Sequence, residues 1–215
     1  MKYTTIIFDL DGTLLNTLAD LAAATNYALA EHKLPQRTTD EVRLFVGNGI
    51  RKLIERAVPA DTPAELQEEV FASFNKYYKQ HCADSTRPYK GVPQLLQQLR
   101  AAGCRTAIVS NKADYGVQAL AKQYFDGQLD AACGERAGIA KKPAPDMLLA
   151  IMRQLKAEPA STIYIGDSDT DLDTARNAGV SCIGACWGFR GRAFLEAHGA
   201  KLLAENVSDI WELIK

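Results

Sequence analysis

The sequence has no excess of charge of either sign. Its 25 Lys and Arg stand against 26 Asp and Glu, a formal net charge of −1 over 215 residues. Nothing in that balance advertises a nucleic-acid surface or an acidic tail. No apolar stretch approaches the length needed to cross a bilayer. Met1-Lys2-Tyr3 leads directly into an apolar strand pattern, without the architecture of a signal peptide. The five cysteines (82, 104, 133, 182 and 186) are an odd number without zinc-type spacing, and Cys182 and Cys186 sit among apolar or small neighbours as buried thiols would. The expectation is a reduced, cytoplasmic setting with no nucleic acid or membrane as partner. Internal repeats and low-complexity segments are also missing. What remains, 47% hydrophobic and 24% charged, is an ordinary globular composition, long enough for one large domain or a domain carrying an insertion.

From Tyr3 to Phe8 the chain is β-branched and aromatic, and too short for a surface helix, so it predicts a strand buried on both faces. From about residue 15 to 83 every signal is helical. A helix starts near Asn16 or Thr17 and ends at Lys33-Leu34-Pro35, a second starts at Thr39-Asp40-Glu41 and breaks at Val46-Gly47-Asn48-Gly49, and a third covers Ile50 to Val58. A long amphipathic helix then runs from about Ala64 to Cys82. From Tyr89 strands and helices alternate: strands at Cys104–Val109, about Leu129–Cys133, Thr162–Ile165, Val180–Ala185 and Lys201–Leu203, with helices between and after them. Alternation of this kind implies βαβ units and a doubly wound parallel sheet. The helical block is too long to be a connecting loop. It reads as an inserted all-helical cap over 15–83, with 1–14 and 84–215 forming the α/β core.

Three strands end on polar residues suited to one reaction. Asp9 and Asp11 close the first, Ser110 and Asn111 follow another, and Asp167 and Asp171 follow a third. In a parallel sheet these ends lie on one edge, where ligands bind. Asp9 and Asp11, freed by a turn at Gly12-Thr13, repel one another unless a cation or a shared proton intervenes, which suggests a divalent metal, an acid/base pair, or both. Asp9, Asp11 and Asp167 make a hard-oxygen set suited to Mg²⁺. Ser110 and Lys142 are the donors a phosphoryl group needs, and a carboxylate can itself attack phosphorus. Asp169 or Asp171 would also stabilise a helix N-terminus, by roughly 0.5–2 kcal/mol, though that need does not call for the further acids. Lys112 and Lys141 read as surface charges near the site.

Asp9-Leu10-Asp11-Gly12-Thr13, Ser110-Asn111, Lys142-Pro143 and Gly166-Asp167-Ser168-x-x-Asp171 resemble the four ordered motifs of the haloacid dehalogenase superfamily. The resemblance implies a Rossmann-like core, and it makes the insertion the helical cap of the family's first cap class. It further implies that Asp9 is the nucleophile, forming an aspartyl-phosphate. Asp11 would be the general acid to the leaving group and then the base for water, with its backbone carbonyl on Mg²⁺. Ser110, Asn111 and Lys142 would hold the phosphoryl group, Asp167 would ligate the metal, and Asp171 would support it. True dehalogenases resemble this scaffold but lack the second aspartate, so Asp11 favours phosphate-ester chemistry.

The cap segment Val46-Gly47-Asn48-Gly49-Ile50 and the loop Trp187-Gly188-Phe189-Arg190 are similar to segments of phosphoglycolate phosphatases. Gly47 and Gly49 would let backbone amides approach a small anion, Asn48 lies between them, and Arg51 would reach a carboxylate. The expected function is hydrolysis of a small phosphate monoester, with 2-phosphoglycolate as lead substrate, by a monomer or homodimer. Competing enzymatic readings are a pyrophosphatase, a sugar phosphatase or a phosphomutase of the same superfamily. A phosphoacceptor signalling module or a catalytically silent interaction domain would be the readings of a different class.

Overall fold

The structure, a computed structural model, describes all of residues 1–215. Its first strand, β1 (Thr5–Phe8), is buried at every position. Tyr3, included in the strand by its apolar character, lies just before it, with its hydroxyl donating to Ser181 Oγ at 2.9 Å.

The chain divides into two compact units, residues 16–87 and residues 1–15 with 88–215. The first contains α1 (Leu18–Glu31), α2 (Thr39–Phe45), α3 (Ile50–Ala57) and α4 (Ala64–His81). Val70, Phe74 and Tyr78, four apart, carry the buried stripe of α4. Helix α2 starts on a reciprocal cap: Glu41 N–H donates to Thr38 Oγ1 (3.2 Å), and Thr38 N–H donates to Glu41 Oε2 (2.8 Å).

The block expected to be helical throughout has short strands where the chain passes between units. β2 (Leu15–Asn16) pairs with β3 (Arg87–Pro88). Two-residue strands give no periodicity to detect. The unit also extends to residue 87 rather than 83, because the buried Asp20 of α1 holds the segment before β3. Its carboxylate accepts from Ser85 N–H (2.9 Å), Thr86 N–H (2.8 Å) and Thr86 Oγ1 (2.7 Å).

The other unit continues through α5 (Val92–Ala101), β4 (Arg105–Ala113), α6 (Asp114–Phe125), β5 (Ala131–Glu135), α7 (Asp146–Gln154), β6 (Thr162–Gly166), α8 (Asp169–Ala178), β7 (Ser181–Ala185), α9 (Arg192–Ala197), β8 (Leu202–Ala204) and α10 (Asp209–Leu213). The sheet has the order β5-β4-β1-β6-β7-β8, and every neighbouring pair is parallel. This is the α/β, Rossmann-like architecture implied by the alternation of strands and helices. Ile7, Ala107, Val109 and Tyr164 face one layer, packed against Met147, Leu148, Ile151 and Met152 of α7 and Ala175 and Ala178 of α8. Fully burying each large side chain of this kind contributes roughly 1.5–3 kcal/mol.

The strand order reverses at β1. The chain adds β4 and β5 on one side, then returns to lay β6 on the other. Parallel sheets bind ligands outside the carboxyl ends of strands at such a switch point. One strand there is longer than its sequence suggests. β4 does not stop at Val109 but runs to Ala113, and its register against β5 shifts between Val109 and Ala113. Gly134 N–H donates to Asp114 Oδ1 (2.8 Å) just past the shift. The irregular stretch contains Ser110, Asn111 and Lys112, all buried.

Candidate active site

Past β1 the chain turns within one short loop. The amides of Thr13, Leu14 and Leu15 all point at the Leu10 carbonyl (3.3, 3.0 and 3.0 Å), and Gly12 takes φ +86°. Asp9 stays at the strand end, its N–H on the Ile165 carbonyl (2.8 Å), while Asp11 lies within the turn. At the end of β6, Asp167 accepts from Thr13 Oγ1 (3.2 Å) on one oxygen and from Phe189 N–H (2.7 Å) on the other. The backbone approaches Asp167 so closely that only glycine fits beside it. A Cβ on Gly188 would stand 2.2 Å from Asp167 Cβ, and one on Gly12 would stand 2.4 Å from Asp167 Oδ2. Trp187 fixes the same loop by donating from Nε1 to the Thr13 carbonyl (3.0 Å).

Lys142 is the cationic centre. Its ammonium lies 2.6 Å from Asp171 Oδ1, 2.9 Å from Asp9 Oδ1 and 2.9 Å from the Tyr164 hydroxyl. The contacts with Asp171 and Tyr164 are hydrogen bonds, and the one with Asp9 is an ion pair. Tyr164 in turn donates to the Val109 carbonyl at 2.8 Å. Asp171, in the first turn of α8, spends its second oxygen on Ser168, accepting from N–H (3.1 Å) and Oγ (2.6 Å). Burial opposes the charge on Lys142, but Asp171 and Asp9 outweigh it and hold the lysine protonated beyond its ordinary range.

The carboxyls feel the opposite pressure. Burial, then the neighbouring charge of Asp171, raises Asp9 to about 6 against the pull of Lys142. Burial and the charges of Asp171 and Asp9 push Asp167 well above the usual carboxylate range. Tyr89, half-buried nearby, has its phenol raised by burial and by Asp167 and Asp11. Asp9 Oδ1 is buried and within ion-pair distance of Lys142, yet it makes no well-directed hydrogen bond.

Asp9, Asp167 and Asp171 offer carboxylate oxygens within 4.8 Å of one another. The fit to a hard divalent cation is chemical: all donors are oxygens, they are buried, and one is without a hydrogen bond. Because Asp171 is occupied by Lys142, Tyr164 and Ser168, Asp9 and Asp167 are the carboxylates with coordination to offer.

Asp11 does not join that group through its carboxylate, contrary to its place in the expected Asp9–Asp11–Asp167 set. The turn carries its side chain to Lys112, whose Nζ stands 3.1 Å from Oδ1 and 3.2 Å from Oδ2. Lys112 is therefore not a surface charge: its side chain is 2% exposed. Lys141 does remain outside, in a partly exposed pair with Glu135 (3.5 Å). Ser110, two residues before Lys112, accepts its N–H at 3.4 Å. Asn111, expected at the phosphate, is joined to the Lys142 backbone. Its amide donates to the Lys142 carbonyl (3.0 Å) and accepts from the Lys142 N–H (2.8 Å), clamping the loop that carries the lysine.

The family model of the haloacid dehalogenase-like hydrolases matches residues 6–185, a span that includes Asp9, Asp11, Ser110, Asn111, Lys142, Asp167 and Asp171. The chain belongs to that family. A phosphoglycolate phosphatase from Aquifex aeolicus is 32% identical over 189 residues, covering 86% of this chain and 85% of its own. An N-acetylmuramic acid 6-phosphate phosphatase from Pseudomonas aeruginosa is 29% identical over 217 residues, covering 100% and 96%. Among solved structures, a protein of Lactobacillus delbrueckii subsp. bulgaricus provisionally assigned as a phosphoglycolate phosphatase superposes with a TM-score of 0.95 at 35% identity, covering 100% and 99%.

The residues this hydrolase was expected to use for substrate choice belong to the helical unit. Gly47 (φ +122°) and Gly49 (φ +85°) bend the chain into α3, and Asn48 Oδ1 accepts from Arg56 Nη2 at 2.8 Å. Arg51 is engaged by Glu68, and its guanidinium lies 4.4 Å from the centre of the Phe71 ring. The core residues missed by sequence reasoning are Tyr164, Lys112, Thr13 and the Phe189 amide. Thr13 carried a signal as part of the Asp-x-Asp-Gly-Thr motif, and Phe189 as part of the Trp187-Gly188-Phe189-Arg190 loop.

Proposed function

We propose that this hydrolase is a Mg²⁺-dependent phosphatase that cleaves a small phosphate monoester through an aspartyl-phosphate on Asp9, with 2-phosphoglycolate as its leading substrate. The observation that carries the reading is Asp9 Oδ1: a buried carboxylate oxygen, offset by Lys142, without a hydrogen bond of its own. Such an oxygen retains a lone pair for attack. The relatives named phosphoglycolate phosphatase support the lead substrate, and the full-length likeness to an N-acetylmuramic acid 6-phosphate phosphatase keeps sugar phosphates as the second reading.

The steps follow from the residues. A carboxylate oxygen of Asp9 bonds to phosphorus as the bond from phosphorus to the ester oxygen breaks. Asp11 gives the leaving oxygen its proton, then takes one from the water that attacks the aspartyl-phosphate and releases inorganic phosphate. Lys142 and Ser110 face the phosphoryl oxygens. Asp171, Tyr164 and Asn111 keep Lys142 in place. Asp9 and Asp167, with the backbone carbonyl of Asp11, would hold Mg²⁺, which when bound supplies charge stabilisation to the transferring phosphoryl group. Gly47, Asn48, Gly49 and Arg51 contribute to the choice of ester.

The test is turnover of p-nitrophenyl phosphate with Mg²⁺. Asp9→Asn abolishes it while leaving the circular dichroism spectrum unchanged, and excess EDTA removes it from the wild type. Undiminished turnover in the variant rules out the nucleophile, and undiminished turnover in EDTA rules out the metal.

A further inference from the structure

We propose that Lys112 is a specificity-determining residue, receiving a carboxylate that the substrate carries one carbon away from its ester oxygen. The inference rests on the phosphatase reading above and narrows its substrate class to phosphoesters of 2-hydroxycarboxylic acids.

Lys112 lies in the irregular stretch of β4, two residues beyond Ser110, whose Oγ accepts the Lys112 N–H. Its ammonium is held against both oxygens of Asp11. Asp11 is the residue that must reach the ester oxygen. When one of its oxygens turns to that atom, the pair with Lys112 loosens, and a buried ammonium needs its counter-charge replaced. In 2-phosphoglycolate a single methylene separates the ester oxygen from the carboxylate. A group close enough for Asp11 to protonate therefore brings that carboxylate beside Asp11, and so beside Lys112. The substrate would supply the anion that Asp11 gives up.

Lys142 is unsuited to this task, since its ammonium already hydrogen-bonds Asp171 and Tyr164 and is ion-paired with Asp9. Arg51, the residue first expected to meet a carboxylate, has its guanidinium on Glu68 and over Phe71. Lys112 is thus the core cation whose partner changes during turnover.

The experiment compares kcat/KM for 2-phosphoglycolate and for ethyl phosphate, which has a methyl group where the first has its carboxylate. The wild type should prefer 2-phosphoglycolate. A charge-assisted contact of this kind gives roughly 10- to 100-fold, and Lys112→Met should lose that preference, chiefly through KM. Lys112→Arg should keep part of it. Equal loss on both esters in the Met variant would overturn the proposal, leaving Lys112 as a support for Asp11. A wild type with no preference between the esters would overturn it without any variant. Failure of the phosphatase reading is distinct, because the wild type would then cleave neither ester nor p-nitrophenyl phosphate.

Discussion

The hydroxyl of Tyr164 accepts a hydrogen bond from Lys142 Nζ at 2.9 Å and passes its own proton to the Val109 carbonyl at 2.8 Å. One phenol thus ties the cationic centre to the backbone of β4. Tyr164→Phe removes it and strands a buried ammonium proton and a buried carbonyl. The expected loss is about 1–3 kcal/mol of stability, measured by urea unfolding. Turnover should fall with it if, as proposed, the same ammonium meets the phosphoryl oxygens.

Asp9 provides a pH dependence with a definite sign. Its carboxyl is raised to about 6 in the folded chain, above the ordinary value of 3.8. A raised acid contributes stability that is present below pH 4 and lost as pH rises through 6. At neutral pH the metal-free protein therefore contains a destabilising carboxylate. Asp9→Asn should melt roughly 3–6 °C above the metal-free wild type at pH 7.5, with the gap closing below pH 6. Calorimetry in EDTA across that range checks both. Adding Mg²⁺ should raise the wild type and leave the variant nearly unmoved.

Asp20 is a structural carboxylate of the helical unit. Asp20→Ala leaves the amides of Ser85 and Thr86 without their acceptor and should destabilise that unit by about 1–3 kcal/mol. Hydrogen exchange gives the specific readout: the two amides should exchange faster, whereas those of β1 and β6 should not.

Legibility in the sequence followed the range of the interactions. β1 and β6 were visible because a strand buried on both faces is apolar at every position. Asp9 and Asp167 were visible because they follow those strands directly. Tyr164 was invisible for the same reason: between Ile163 and Ile165 it is one more large strand residue, and its hydroxyl acquires meaning only from Val109 and Lys142. Lys112 was misread because a lysine at a strand end is ordinarily solvated. Its burial depends on β4 continuing through an irregular register and on Asp11 meeting it from the turn after β1. The task of Asn111 depends on the path of the Lys142 loop, which local pattern does not encode.

The position of the helical unit in the chain bears on how the protein is made. β1 leaves the ribosome before its two neighbours, which come far later, Thr5 pairing with Arg105 on one side and with Thr162 on the other. Domains generally fold as units during synthesis. Residues 16–87 can therefore fold while β1 still lacks both partners. The pairing of Leu15–Asn16 with Arg87–Pro88 then joins the ends of that unit. What would be a long open loop between the first two core strands becomes a short one, and most of the entropy of closing it has already been spent.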